Sequence, residues 1–105
     1  MKKILLVCSG GVSTSILVNK MKEAARINEV KVKIEAVARL HSVEKAKDFD
    51  VVLLGPQIKV YKDKISKSLE GVVPVDVIDM KLYGRMNGEA VLNQAIDIIE
   101  RGTSK

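Results

Sequence analysis

The chain has 105 residues, one domain's worth, and 47% of them are apolar, enough for a single core without disulfides or metals. Its only aromatic residues, Phe49, Tyr61 and Tyr83, leave almost no platform on which bases could stack, which argues against single-strand or RNA recognition. The formal charge of +5 comes from 18 basic and 13 acidic residues interleaved along the chain, so a mixed solvated surface is expected rather than a nucleic-acid face, with an acidic protein partner as the second reading.

One cysteine cannot close an internal disulfide and one histidine cannot anchor a metal site, so neither a metal nor a cofactor is expected. The apolar run Ile4-Leu5-Leu6-Val7 behind Met1-Lys2-Lys3 is too short for a leader or a membrane span. The expected location is the cytoplasm.

In chain order, Lys2 to Cys8 reads as a continuous apolar strand of the kind buried in a parallel sheet. A helix is predicted from about Ser13, a plausible N-cap, to Arg26, with Leu17, Val18, Met21, Ala24 and Ala25 as its buried stripe. Val30 to Ala38 alternates Val32, Ile34 and Ala36 with Lys31, Lys33 and Glu35, the pattern of a half-exposed edge strand. Ser42 to Lys47 fits a short helix and Asp50 to Leu54 a second buried strand, ended by Gly55-Pro56. Ile58, Tyr61, Ile65 and Leu69 mark a third helix. Val72 to Ile78 is a fourth strand in which Pro74 belongs at the start or on an edge. Asp79 to Gly88 reads as a loop. Asn87 caps a last helix with Val91, Leu92, Ala95, Ile96 and Ile99 inward, ending at Gly102 before a frayed tail, Thr103-Ser104-Lys105.

Strands alternating with helices imply an α/β domain over residues 1–105, with a four-stranded parallel sheet covered by helices on both faces. The two fully apolar strands belong in the middle, which gives the order 2-1-3-4. Ligands bind such sheets at the switch point beyond the carboxyl ends of the central strands. Cys8 falls there.

The loop Cys8-Ser9-Gly10-Gly11-Val12-Ser13-Thr14-Ser15 joins the first strand to the first helix. Its two glycines let successive N–H groups turn inward, and the helix N-terminus adds positive potential, so nucleophile and anion cradle come from one segment. A small buried hydrophobe at a strand end is the bland alternative for Cys8. The loop lacks the glycine spacing of dinucleotide sites, a Walker lysine and a C-x-x-C. It is similar in length to the C-x5-R-[ST] site of low-molecular-weight tyrosine phosphatases, with Ser15 as the terminal hydroxyl, but Thr14 stands where the arginine would be. Without a guanidinium clamp, hydrolysis loses its main charge stabiliser, which suits a site that passes phosphate on.

Three blocks carry a resemblance over essentially the full length: Cys8 to Ser15, Val51-Val52-Leu53-Leu54-Gly55-Pro56-Gln57-Ile58, and Val77-Ile78-Asp79 with Leu82-Tyr83-Gly84. With them the chain resembles enzyme IIB of the phosphoenolpyruvate-dependent sugar phosphotransferase system, in the lactose/cellobiose/chitobiose family. Gly10-Gly11-Val12 stands where family members often carry Ala-Gly-Met. The resemblance implies a fold like that of the low-molecular-weight phosphatases and a phosphocysteine at Cys8. The phosphoryl group would come from a phosphohistidine of enzyme IIA and go to a disaccharide held by membrane enzyme IIC, the only contact with the membrane. Backbone N–H groups of residues 9 to 15, that is Ser9, Gly10, Gly11, Val12, Ser13, Thr14 and Ser15, would hold the phosphate, with the hydroxyls of Ser13, Thr14 and Ser15 in reach.

Other polar residues are weaker candidates. His41 could carry phosphate but reads as a surface histidine. Gln57 and Tyr83 follow strands three and four and could line the rim or serve structure. Asp79 occupies roughly the place of a phosphatase acid and reads first as a loop or capping residue, while Pro56 shapes the turn after strand three. Two other readings remain: a phosphatase- or arsenate-reductase-like enzyme, and a non-enzymatic module that senses phosphorylation.

Overall fold

The computed structural model of the chain describes residues 1–8 and 12–103, and for residues 12, 13, 102 and 103 the backbone alone. The strands are β1 (Lys2–Cys8), β2 (Val32–Ala38), β3 (Val51–Leu54) and β4 (Val75–Val77). The helices are α1 (Val12–Ile27), α2 (Ser42–Ala46), α3 (Lys62–Ser68), α4 (Met80–Gly84) and α5 (Gly88–Thr103). All strand pairings are parallel and the order is β2-β1-β3-β4, as the apolar patterning predicted.

The strands' two faces feed two separate cores, which is why β1 reads as an unbroken apolar run. Ile4 and Leu6 pack with Leu17, Met21, Leu92 and Ala95 of α1 and α5, and Leu5 and Val7 pack with Ala46, Ile58 and Ile65 on the other side. The first set is almost entirely lost from water, and truncating any one of its leucines would cost about 2–5 kcal/mol. The stripe predicted for α1, Leu17, Val18, Met21, Ala24 and Ala25, is buried throughout. Edge strand β2 buries only Ile34; Ala36, expected on the same inward face, is exposed.

Several boundaries differ from expectation. Helix α1 begins at Val12, so Ser13 stands inside its first turn rather than at its cap. The single helix expected around Ile58 to Leu69 is broken. A 3₁₀ turn, Pro56–Tyr61, precedes α3, and Ile58 (φ −118°, ψ 24°) leaves helical geometry, which lets Pro56 and Ile58 both turn into the core. Strand β4 keeps only three of the residues expected, because Glu70 and Gly71 (φ 54° and 70°) still close α3 and Val72 lies exposed. The segment read as a loop after Asp79 contains α4, too short for periodicity to show. Finally, α5 runs through Gly102 to Thr103.

Capping follows the polar residues the sequence offers. Asn87 Oδ1 accepts from the N–H of Ala90 at 3.1 Å, as expected for the start of α5. Pro74 sits just before edge strand β4, where its carbonyl still accepts from Val52 at 2.9 Å. The amino end of α5 lies backbone to backbone on the middle of α1: a Cβ on Gly88 would stand 2.4 Å from the carbonyl carbon of Lys20. That close approach holds the middle of α1 against α5 on one face of the sheet.

Candidate functional site

Cys8 is the last residue of β1, paired with Ala38 of β2 and one step beyond the last β1–β3 pair, Val7 with Leu54. By strand alternation it shares the face of Ile4 and Leu6, the face that α1 covers. It is 7% exposed. Three residues separate it from α1, whose first turn contains no acidic side chain to oppose the helix's positive end. An anion beside Cys8 would therefore meet a helix N-terminus whose own first turn brings no negative charge.

Of the residues expected to hold phosphate, Ser9, Gly10 and Gly11 lie outside the described residues. Val12 and Ser13 form the start of α1, with their side chains also outside. Ser15 is exposed on the first turn. Thr14 is different: it is 1% exposed, and its Oγ1 shares a hydrogen bond with the phenol of Tyr83 at 3.3 Å. The position at which phosphatases carry an arginine is thus filled by a buried neutral hydroxyl.

Tyr83 comes from α4 and is itself buried at 6%. Its ring edge reaches the end of β3, where an added Cβ on Gly55 would meet Tyr83 Cε2 at 3.7 Å, the Val7 carbonyl oxygen at 3.6 Å and Gln57 Oε1 at 2.9 Å. Gly55 in turn donates its N–H to that Val7 carbonyl at 2.9 Å. The carboxyl ends of β1 and β3, the start of α1 and α4 therefore meet at Tyr83. The sequence marked Tyr83 only as a possible rim residue; the signal that it is more was its place four residues after Asp79 and six after the end of β4, which becomes legible once Met80–Gly84 is seen to be a helix capped by Asp79.

The other candidates separate clearly. Asp79 caps α4, its Oδ1 accepting from the N–H groups of Lys81 (2.8 Å) and Leu82 (3.3 Å), in line with the capping role expected. Gln57 is exposed on the 3₁₀ turn after β3, and Pro56 opens that turn, buried. His41 is exposed in the short turn Arg39–His41 after β2, and its side chain caps nothing. Beside it the Arg39 guanidinium lies 4.1 Å over the Tyr61 ring, a cation–π contact that ties the β2 and β3 exits together. Among the described residues no helix is long and apolar enough to cross a membrane.

Known proteins resemble the chain in sequence and in fold. Residues 3–94 match the family model described as "PTS system, Lactose/Cellobiose specific IIB subunit". The chain is 41% identical over 100 residues to the oligo-beta-mannoside-specific EIIB component of the PTS of Bacillus subtilis (strain 168), covering 94% of this chain and 97% of that one. It is 39% identical over 104 residues to the galactose-specific EIIB component of Lactococcus lactis subsp. cremoris (strain MG1363), covering 93% and 96%. The solution structure of the cellobiose-specific phosphotransferase IIB component from Borrelia burgdorferi superposes with a TM-score of 0.80 at 38% identity, over 95% of this chain and 93% of that one.

Proposed function

The chain belongs to the lactose/cellobiose-specific IIB subunits of the PTS, and from that premise we propose that Cys8 carries a phosphoryl group from a phosphohistidine of enzyme IIA to a disaccharide held by membrane enzyme IIC. The observation that carries the reading is the placing of Cys8, at the end of the central strand, three residues before a helix whose first turn holds no acidic side chain and has Thr14 in place of an arginine.

In the first transfer the Cys8 thiolate attacks phosphorus in line. The S–P bond forms, the P–N bond breaks, and the donor imidazole leaves to take up a proton. In the second, a sugar hydroxyl attacks, the S–P bond breaks and the thiolate returns, while the hydroxyl proton passes to a base outside this chain. In this reading backbone N–H groups of residues 9 to 15 and the amino end of α1 stabilise the transferring oxygens, with the hydroxyls of Ser13 and Ser15 as further donors. Positioning and dipoles suffice for such a transfer, because no water needs to be activated. The expected location is the cytoplasm, with membrane contact through IIC only.

The sugar is not chosen by likeness. Relatives named for oligo-beta-mannosides, galactose and cellobiose stand within a few per cent identity of one another against this chain. Intact-mass measurement after incubation with phosphorylated IIA tests the proposal. One phosphoryl group should appear on wild type, be absent from Cys8→Ser, and be chased off by IIC with sugar. Steady release of phosphate from an aryl phosphate, with no adduct from any IIA, would make this a phosphatase instead.

A further inference from the structure

We propose that Tyr83 is a positioning residue for phosphoryl transfer, acting through Thr14 to set where the amino end of α1 stands relative to Cys8; this rests on Cys8 being the carrier. Three contacts point to it. The Tyr83 ring is anchored at the strand ends that bear Cys8, against Gly55, whose N–H is bonded to the carbonyl of Val7. The phenol is joined to the buried Oγ1 of Thr14, a residue 69 positions away in the chain and inside the first turn of the helix that follows the loop. The two ends of one rigid side chain thus touch the two structures whose separation fixes the site.

A packing role alone does not need the hydroxyl. Phenylalanine would fill the same core, and valine has nearly the shape of threonine and differs from it in lacking the hydroxyl. What the hydroxyl pair adds is direction. Thr14 has more than one staggered rotamer open to it in a helix, and the phenol selects the one that faces the strand ends. A buried phenol in turn requires a partner, and Thr14 is among those of Tyr83. Fixing that rotamer holds the first turn of α1, and with it the N–H groups that would face the transferring oxygens, at one distance from Cys8. Misplacement of such donors by a fraction of an ångström is felt in the rate and not in the docking of the donor protein.

The contact is long for a pair of hydroxyls, so the expected effect is moderate. The test compares Tyr83→Phe, Thr14→Val and the double variant in single-turnover phosphorylation of Cys8, with phosphorylated IIA varied through saturation. Each single variant should lower the maximal rate about three- to tenfold, with the half-saturating concentration of donor unchanged. The double variant should be no slower than the slower single, because both remove one interaction. The phosphorus NMR signal of the phosphocysteine should move in the same way in both singles. Rates are taken well below the melting midpoint of every variant. Should Tyr83→Phe fold poorly, Thr14→Val leaves the ring in place and carries the same expectation. A wild-type maximal rate in either single variant, or two losses that multiply in the double, overturns the inference. A wild-type chain that takes no phosphoryl group on Cys8 overturns the carrier reading itself.

Discussion

Replacing Gly88 by alanine should loosen the molecule where α5 meets α1. The new Cβ would stand 2.4 Å from the carbonyl carbon of Lys20, 2.6 Å from its oxygen and 2.6 Å from the nitrogen of Met21. These are backbone atoms in the middle of a helix, so no side chain can swing aside. Ordinary contact begins near 3.4 Å, and the helices must therefore part by roughly 1 Å. Overpacking of this kind costs about 1–3 kcal/mol. Alanine's better helix propensity returns at most about 1 kcal/mol in a helix interior, and less at the first residue of α5. The net loss is about 1–2 kcal/mol. For a domain of this size that lowers the melting midpoint by about 5–15 °C.

Thermal melts followed by far-UV circular dichroism measure it directly. Gly84 supplies the control: it also lies in a helix, but an added Cβ meets nothing within 4 Å. Gly84→Ala should be neutral or stabilising by up to about 1 kcal/mol. If Gly88→Ala melts with or above wild type, the close approach of α1 and α5 is not what holds the middle of α1, and the reasoning fails with it.

Glu29 and Glu70 sit in left-handed backbone (φ 55° and 54°) at the ends of α1 and α3, each within a pair of closing bonds such as Val30 N–H to Ala25 and Glu29 N–H to Arg26. Glu29→Gly and Glu70→Gly should each stabilise by about 0.5–1 kcal/mol in urea titrations, since glycine pays no Cβ penalty there but gains freedom when unfolded. Desolvation pushes the Glu35 carboxyl up, but Lys45 and Lys33, at 3.3 and 3.4 Å, outweigh it and hold the group below its ordinary 4.5. Because the folded value is the lower one, the stabilisation is present above the ordinary value and is lost as pH falls through the folded one. Glu35→Gln should therefore cost under about 1 kcal/mol at pH 7, screened by solvent, and nothing at strongly acid pH; equal midpoints at pH 7 would dismiss the pair. Finally, the net charge of +5 should steer the chain to an acidic donor, so the second-order rate of phosphorylation by IIA should fall several-fold as salt is raised. A rate independent of salt would remove steering.

The sheet was legible because burial on both faces writes itself as unbroken apolar runs, Ile4 to Val7 and Val51 to Leu54, and those runs alone fix the order of the strands. Short elements were not. Five residues, Met80–Gly84, make little more than one turn, and a single turn has no period to read. Asp79 carried the signal, since a residue that accepts from the N–H groups two and three places on is a cap. The same limit hid the break at Ile58, where a proline-led turn and a helix share one apolar spacing. In the candidate site, the place of Cys8 at the end of the central strand was legible locally. The Thr14–Tyr83 contact did not, because it joins residues far apart in the chain and depends on α4 being a helix at all.

That contact also bears on why the site would pass a phosphoryl group on rather than release it to water. A guanidinium at position 14 would neutralise the oxygens of the transferring group and stabilise attack by any nucleophile, water included. The structure has instead a hydroxyl that is 1% exposed and already engaged by a phenol, so the position offers direction without charge. Helix-end and backbone N–H groups supply the remaining stabilisation only to a group held in line with them. Under the proposed function, selectivity for the sugar hydroxyl over water then follows from orientation. The acceptor is presented in line by a docked partner, whereas water is presented by nothing.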